Sequence, residues 1–133
     1  MVKKKQANAG CIVKRGDSIL LVRRKLDNRW DIPAGKAIGN ETPKETAARE
    51  AKEETGLSIR IDKLLAQIPD VDENDPYFHI YEGILEEDSN EIAASTDAEI
   101  AEVRFIPIES IQKGDVRFPG MLDLLIKLFN TLA

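Results

Sequence analysis

The sequence is poor in features of secreted and membrane-spanning proteins. Cys11 is the single cysteine among 133 residues, so an intramolecular disulfide is excluded and a reducing compartment is favoured. No stretch approaches the ~18 apolar residues of a membrane span, and the first ten residues lack the apolar run of a signal peptide. We therefore expect a cytoplasmic protein with no membrane partner.

Positive charge is also in short supply. The chain has 19 lysines and arginines against 24 aspartates and glutamates, a net charge of -5, and its isoelectric point is near 5.0. This field repels a nucleic-acid backbone, so we expect no nucleic-acid partner. A small anion bound through a metal ion remains compatible with it.

The length and the 42% hydrophobic content suit one domain with a single core. We expect a flexible tail over residues 1–10 and one domain over residues 11–133. Patterns of apolar and turn residues predict polar loops over 69–76 and 86–97. They also predict strands over 11–14, 18–23, 30–32, 57–68, 77–85 and 103–108, with a closing helix over 121–132.

One further helix has clear limits. Thr42, Pro43 and Glu45 form a capping box that predicts its start, and Gly56 is a natural stop. At about 100° of rotation per residue, three glutamates (Glu50, Glu53 and Glu54) lie within a fan of roughly 100° on one face. Like charges at these spacings repel one another, and a hard divalent cation with oxygen ligands would offset that repulsion.

Residues 35–57, GKAIGNETPKETAAREAKEETGL, resemble the signature of the Nudix hydrolases. Every fixed position of that signature is met, with Ala51 small where a larger aliphatic residue is commoner. The resemblance implies an α/β (α+β) Nudix fold, a mixed sheet sandwiched between helices. It also implies hydrolysis of a nucleoside diphosphate linked to another group.

The resemblance assigns roles by position. Glu50, Glu53 and Glu54 would bind magnesium or manganese, with the backbone carbonyl of Ala34 as a further ligand. Arg49 would orient the glutamates, and Glu53 is our choice for the catalytic base. Glu41, which belongs to the same motif, is equally compatible with a functional role and with a structural hydrogen bond in the loop.

Other candidates lie outside the motif. Many family members add an acidic ligand from a later loop, where Asp97, Glu99 and Glu102 are candidates and Glu99 is favoured. Arg23 or Arg24 would bind a substrate phosphate, and strand alternation indicates that one of the two does so. At the start of the last helix, Phe118 and Asp123 are candidates for contact with the base.

The resemblance leaves the substrate open. A nucleoside triphosphate, standard or oxidised, cleaved to monophosphate and pyrophosphate is favoured, because residues typical of the alternatives are displaced or missing. Those alternatives are ADP-ribose and dinucleoside polyphosphates. A nucleotide-binding module without activity is disfavoured by the intact glutamates, and a homodimer is common in the family.

Overall fold

Seven strands and two helices form the described part of the chain, a computed structural model of residues 8–69, 77–86 and 95–132. Helix α1 covers Pro43–Thr55 and helix α2 covers Met121–Thr131, and two 3-10 turns, Ile108–Ser110 and Lys113–Asp115, precede α2. The strands are β1 (Asn8–Arg15), β2 (Ser18–Arg24), β3 (Trp30–Asp31), β4 (Ala34–Lys36), β5 (Ile59–Pro69), β6 (Tyr77–Leu85) and β7 (Ile100–Pro107).

Strand β1 organises the sheet. It pairs in parallel with β6, and antiparallel with β4 near its start and with β2 near its end. Strand β2 also pairs with β3 and β7, and β6 pairs with β5. The sheet is therefore mixed, in the order β3-β2-β1-β6-β5, with β4 and β7 joined to β1 and β2.

The two helices cover opposite faces of this sheet. Cys11 and Val13 of β1 pack with Ala47 and Ala51 of α1, while Ile12 packs into the cluster that contains Leu125 and other apolar residues of α2. Alternate side chains of a strand point to opposite faces, so β1 contributes to both cores. The predicted sandwich of a mixed sheet between helices is confirmed.

Helix α1 begins and ends where the sequence predicts. The Thr42 hydroxyl accepts the Glu45 N–H at 3.2 Å, and the Glu45 carboxylate accepts the Thr42 N–H at 3.0 Å. At the other end, Gly56 takes the left-handed conformation with φ of 73° and donates its N–H to the Lys52 carbonyl. These caps fix which helix turn carries each glutamate.

A close approach of backbones places the start of the motif next to α1 and β1. The Cys11 N–H donates to the Pro33 carbonyl at 3.1 Å, and a Cβ added to Gly10 would lie 2.5 Å from the same oxygen. Any larger residue at position 10 would push this segment away. Gly10 therefore lets β4, with Ala34 and Gly35, lie against the sheet beside α1.

Several boundaries differ from the sequence predictions. Strand β1 begins at Asn8, so residues 8–10 of the predicted tail are buried sheet residues, because Asn8, Ala9 and Gly10 pair with both β4 and β6. Strand β7 begins at Ile100, earlier than predicted. Residues 1–7, 70–76 and 87–94, which include most of the tail and of the two predicted polar loops, lie outside the described residues.

No helix of the described ranges is long and apolar enough to cross a membrane. The cytoplasmic location, the homodimer and the limits of a single domain stay predictions.

Candidate active site

Two close contacts between β4 and α1 form one side of the site. The Ala34 N–H donates to Glu54 Oε1 at 2.7 Å. A Cβ added to Gly35 would lie 2.4 Å from Cδ of Glu50, so the glutamate side chain packs directly over the glycine backbone. A side chain at position 35 would force Glu50 to move from this position.

Arg49 connects the loop before α1 to the glutamates of the helix. Its Nε donates to Glu41 Oε2 at 2.7 Å, and its Nη1 donates to Glu50 at 2.8 Å and to Glu53 at 3.1 Å. Its Nη2 donates to the Lys36 carbonyl at 2.9 Å and to Glu41 Oε1 at 3.0 Å. One guanidinium thus orients three carboxylates and the backbone of β4.

Three carboxylates converge next to this network. Among the described residues, one carboxylate oxygen each of Glu50, Glu54 and Asp97 lies within 4.8 Å of the other two. Burial raises the pKa of Glu54 to about 9, with further increases from the charges of Glu50, Asp31 and Asp97. Burial also raises the pKa of Glu50, against the effect of Arg49. Concentrated negative charge is therefore costly here unless a cation or protons offset it.

The donor set fits a hard divalent cation. Carboxylate oxygens are the ligands that magnesium and manganese prefer, and one buried and two half-buried carboxylates supply them from one wall of a cavity. Cysteine and histidine are absent from this group, so it lacks the ligands that favour softer metals. Glu50, Glu54 and Asp97 are the residues that would hold such an ion.

The carboxylates lie at the wall of an open cavity of about 830 Å³, a volume that suits a nucleotide. Four cationic side chains line it together with the acidic residues: Arg24, Lys25, Lys36 and Arg117. Apolar surface comes from Val22, Leu26, Ile32 and Ile100. The cavity therefore offers acidic groups for a metal ion, cations for phosphate oxygens and apolar surface for a base or sugar.

A family model described as the NUDIX domain matches residues 4–124 of the chain. The chain belongs to the Nudix family. A putative 8-oxo-dGTP diphosphatase of Mycobacterium tuberculosis is 42% identical over 55 residues, which is 38% of this chain and 38% of that protein. An ADP-ribose pyrophosphatase of Methanocaldococcus jannaschii is 33% identical over 107 residues, 77% of this chain and 62% of that protein.

The chain therefore spans less than two thirds of the length of these relatives. Among solved structures, a NUDIX hydrolase from Nitrosomonas europaea superposes with a TM-score of 0.81 at 24% identity, covering 98% of this chain and 73% of that one. At this identity the similarity establishes the Nudix fold.

The structure separates the two candidate arginines of β2. Arg24 lines the cavity, whereas Arg23 donates from Nε to Glu102 on the paired strand β7 at 3.2 Å and from Nη1 to Asn28 at 2.9 Å. This is the alternation expected of a strand. Glu102, the third acidic candidate, lies within β7, where it is bound by Arg23 and Arg104, and it is outside the carboxylate group.

The remaining candidates fall in different places. Glu53 contacts Arg49 but is about half exposed and outside the group formed by the other two helix glutamates. The side chain of Glu99 is exposed at the cavity wall, and of the two acidic residues Asp97 is the one whose carboxylate lies with those of Glu50 and Glu54. Phe118 and Asp123 are absent from the described cavity lining. Phe118 is an exposed residue before α2, and Asp123 lies on the exposed side of α2, away from the buried Leu122 and Leu125.

Sequence reasoning missed an ion pair in the cavity wall, between the buried Asp31 and the exposed Arg117. Asp31 is 7% exposed and accepts Nη1 of Arg117 at 3.3 Å, and burial raises its pKa to about 6. Arg117 is held in turn by its N–H, which donates to the Trp30 carbonyl at 3.0 Å. An acidic residue within an apolar strand was the available signal for Asp31, since such a residue is buried only with a partner. Arg117 gave no local signal.

Glu41 is a structural residue of the Nudix motif, and its protonation should weaken that motif. Arg49 lowers the pKa of Glu41 to about 2, helped by the N–H of Ile38 and the hydroxyl of Thr46. The folded pKa lies below the ordinary value, so ionised Glu41 stabilises the fold above pH ~4.5 and this contribution is lost as pH falls toward ~2.

The variant Glu41→Gln should lower the melting temperature at pH 7 by roughly 5 °C, and the difference from wild type should shrink below pH ~4.5. Thermal unfolding from pH 7 down to pH 3 measures this. The exposed Glu109→Gln is the control and should show no comparable pH-dependent difference. An equal deficit for Glu41→Gln at every pH would contradict the role of its ionised form.

Proposed function

We propose that the protein is a metal-dependent pyrophosphohydrolase that cleaves a nucleoside triphosphate, standard or oxidised, to the monophosphate and pyrophosphate. The observation that carries the proposal is the convergence of Glu50, Glu54 and Asp97 at the wall of a cavity that Arg24 and Arg117 also line. Carboxylates that hold a divalent ion next to guanidinium groups suit a polyphosphate, whose oxygens bind both.

In this proposal Glu50, Glu54 and Asp97 hold magnesium or manganese, and Asp97 replaces our earlier choice of Glu99. Ala34 lies next to Glu54 in the cavity wall, which keeps its backbone carbonyl a candidate ligand. The ion, when bound, supplies positive charge that offsets the charge of the phosphoryl oxygens and favours deprotonation of a water.

The protein's own groups supply positioning and proton transfer. Arg49 holds Glu50 and Glu53 in fixed relation through one nitrogen, Nη1. Glu53, whose side chain is about half exposed, is the proposed base that accepts a proton from the attacking water. Arg24 and Arg117 bind substrate oxygens and orient the phosphate chain.

Two substrate classes have specific support. A triphosphate is favoured by four cationic side chains in the cavity, which match its higher charge. ADP-ribose is the second candidate, because the alignment with the archaeal ADP-ribose pyrophosphatase covers 77% of the chain, twice the share aligned with the 8-oxo-dGTP relative.

A substrate panel separates these candidates. Phosphate release should be measured for standard and oxidised nucleoside triphosphates with added pyrophosphatase, and for ADP-ribose and dinucleoside polyphosphates with added phosphatase. We expect turnover of a triphosphate with Mg²⁺ or Mn²⁺ and its loss with EDTA. Turnover confined to ADP-ribose or a dinucleotide would move the proposal to that class, and no turnover on any compound would favour a binding module.

Glutamine substitutions should separate metal binding from proton transfer. Glu54→Gln removes a ligand and should weaken Mn²⁺ binding at least about tenfold, while it leaves the metal-free fold about as stable at pH 7, because a carboxyl whose pKa is raised to about 9 is already uncharged there and the Gln amide oxygen can still accept the Ala34 N–H. Glu53→Gln should keep Mn²⁺ affinity and lower kcat about 100-fold or more.

Electron paramagnetic resonance of free Mn²⁺ measures affinity, and thermal unfolding in EDTA measures stability. The exposed Asp62→Asn on β5 is the control. Full activity of Glu53→Gln would refute its role as base, and unchanged Mn²⁺ affinity of Glu54→Gln would remove it from the ligand set.

Arg117 should contribute to substrate binding without affecting the metal. A guanidinium has five N–H donors, so Arg117 can bind Asp31 and also donate to a substrate oxygen. Arg117→Met should raise KM for the nucleotide about tenfold or more, the expected effect of losing a charge-assisted hydrogen bond, with Mn²⁺ affinity unchanged. Arg60→Met, at an exposed arginine on β5, is the matched control. A wild-type KM in Arg117→Met would exclude this contact.

A further inference from the structure

The carbonyl of Glu53 is bound by a distant segment. The last carbonyls of an α-helix have no partner within the helix, and Glu53 is two residues before Thr55, the last residue of α1. Three groups lie within hydrogen-bond distance of its oxygen: the Thr96 N–H at 3.0 Å, the Thr96 hydroxyl at 3.0 Å and the Ser95 hydroxyl at 3.2 Å. The Leu57 N–H, the expected helical partner, donates instead to the Thr55 hydroxyl.

The same segment fixes the residue that follows. The Asp97 N–H donates to Ser95 Oγ at 3.0 Å, and Asp97 Oδ1 accepts the Glu99 N–H at 2.9 Å, which orients the carboxylate. Further along, the Glu99 carbonyl accepts the Lys25 N–H at the end of β2 at 2.9 Å. Asp97 is therefore held between one attachment to α1 and one attachment to the sheet.

We propose that Ser95 and Thr96 are positioning residues that set the affinity for the divalent cation by holding Asp97 beside Glu50 and Glu54. The two hydroxyls donate to a carbonyl on the same helix as the other ligands, so they fix the distance between the loop and that helix. The inference rests on the proposed metal site and on Asp97 as one of its ligands.

The physical reason is preorganisation. Glu50 and Glu54 are fixed by the helix, whereas Asp97 comes from a connecting segment whose ordering would otherwise oppose binding. Residues that orient a ligand without touching the ion commonly change metal affinity 10- to 100-fold. Removal of the two hydroxyls leaves the Thr96 N–H as one donor to the Glu53 carbonyl. We therefore expect a partial loss of Mn²⁺ affinity.

The test is Mn²⁺ affinity in the absence of nucleotide, measured by electron paramagnetic resonance of free Mn²⁺. The double variant Ser95→Ala/Thr96→Val should bind Mn²⁺ about three- to tenfold more weakly than wild type. Asp97→Asn should show a loss at least as large. Ser95→Ala/Thr96→Ser, which returns one hydroxyl, should recover part of the affinity.

A double-mutant cycle distinguishes positioning from general weakening of the fold. If the hydroxyls act through Asp97, the Ser95→Ala/Thr96→Val changes should cost little further affinity in the Asp97→Asn background. The control is Thr131→Val, which removes a hydroxyl that donates to the Leu128 carbonyl at the end of α2 at 2.6 Å. It should leave Mn²⁺ affinity unchanged. Thermal unfolding in EDTA shows whether each variant is folded. If the double variant does not fold, the single variant Thr96→Val is tested in its place.

The outcomes separate this inference from the proposed site. Wild-type affinity in Ser95→Ala/Thr96→Val with a loss in Asp97→Asn would overturn the positioning role and leave the ligand set intact. The positioning role would also be overturned if the loss of affinity from Ser95→Ala/Thr96→Val added in full to the loss from Asp97→Asn. Wild-type affinity in Asp97→Asn would remove Asp97 from the ligand set, and the inference would fall with it.

Discussion

The arrangement of the motif depends on the hydrogen bonds of Arg49. Its guanidinium contacts Glu41 in the loop, Glu50 and Glu53 on α1, and the Lys36 carbonyl on β4. A planar group with donors on three nitrogens fixes these partners in direction as well as distance, which a lysine ammonium on a flexible stem would not do. Arg49 therefore fixes the position of the helix relative to β4, and with it the close contact of Glu50 with Gly35, together with the hydrogen bond from the Ala34 N–H to Glu54.

A single guanidinium cannot balance all the acidic groups of the site. Arg49 lowers the pKa of Glu41 to about 2, whereas Glu54, buried and without that partner, has its pKa raised to about 9. The two carboxylates thus differ because Glu41 faces a cation, whereas burial, with a further contribution from neighbouring carboxylates, raises the pKa of Glu54. The uncompensated charge is concentrated where Glu50, Glu54 and Asp97 meet, and this is where a divalent cation would be most effective.

Local chemistry made most of the fold and of the helix face predictable. The capping box of Thr42 and Glu45 and the stop at Gly56 each depend on neighbouring residues, and each is confirmed. The position of Asp97, rather than Glu99, beside Glu50 and Glu54 was not predictable, because it depends on where the segment before β7 contacts α1. Serine and threonine just before an aspartate are typical of turns that fix a side chain, which was an available but weak signal.

Other misses have the same origin. Arg117 becomes part of the cavity because the bridge between Trp30 and Val116 brings the start of α2 to β3, a contact between residues far apart in sequence. For Asp123, the spacing of apolar residues in α2 already indicated an exposed side chain. Leu122, Leu125 and Leu128 face the core, so the side chain of Asp123 is exposed away from the cavity.

The three carboxylates of the candidate site come from two separate segments. Its affinity for a cation would therefore depend on how fully those segments are docked. Glu53 and Thr96 are 43 positions apart, so the third carboxylate reaches the other two only when the segment before β7 is docked on α1. When a binding-competent arrangement is populated only in part, the apparent affinity falls by that fraction. Contacts that raise this fraction, such as those on the Glu53 carbonyl, strengthen cation binding without touching the ion. By linkage, a cation bound to all three carboxylates would hold the helix and the sheet together.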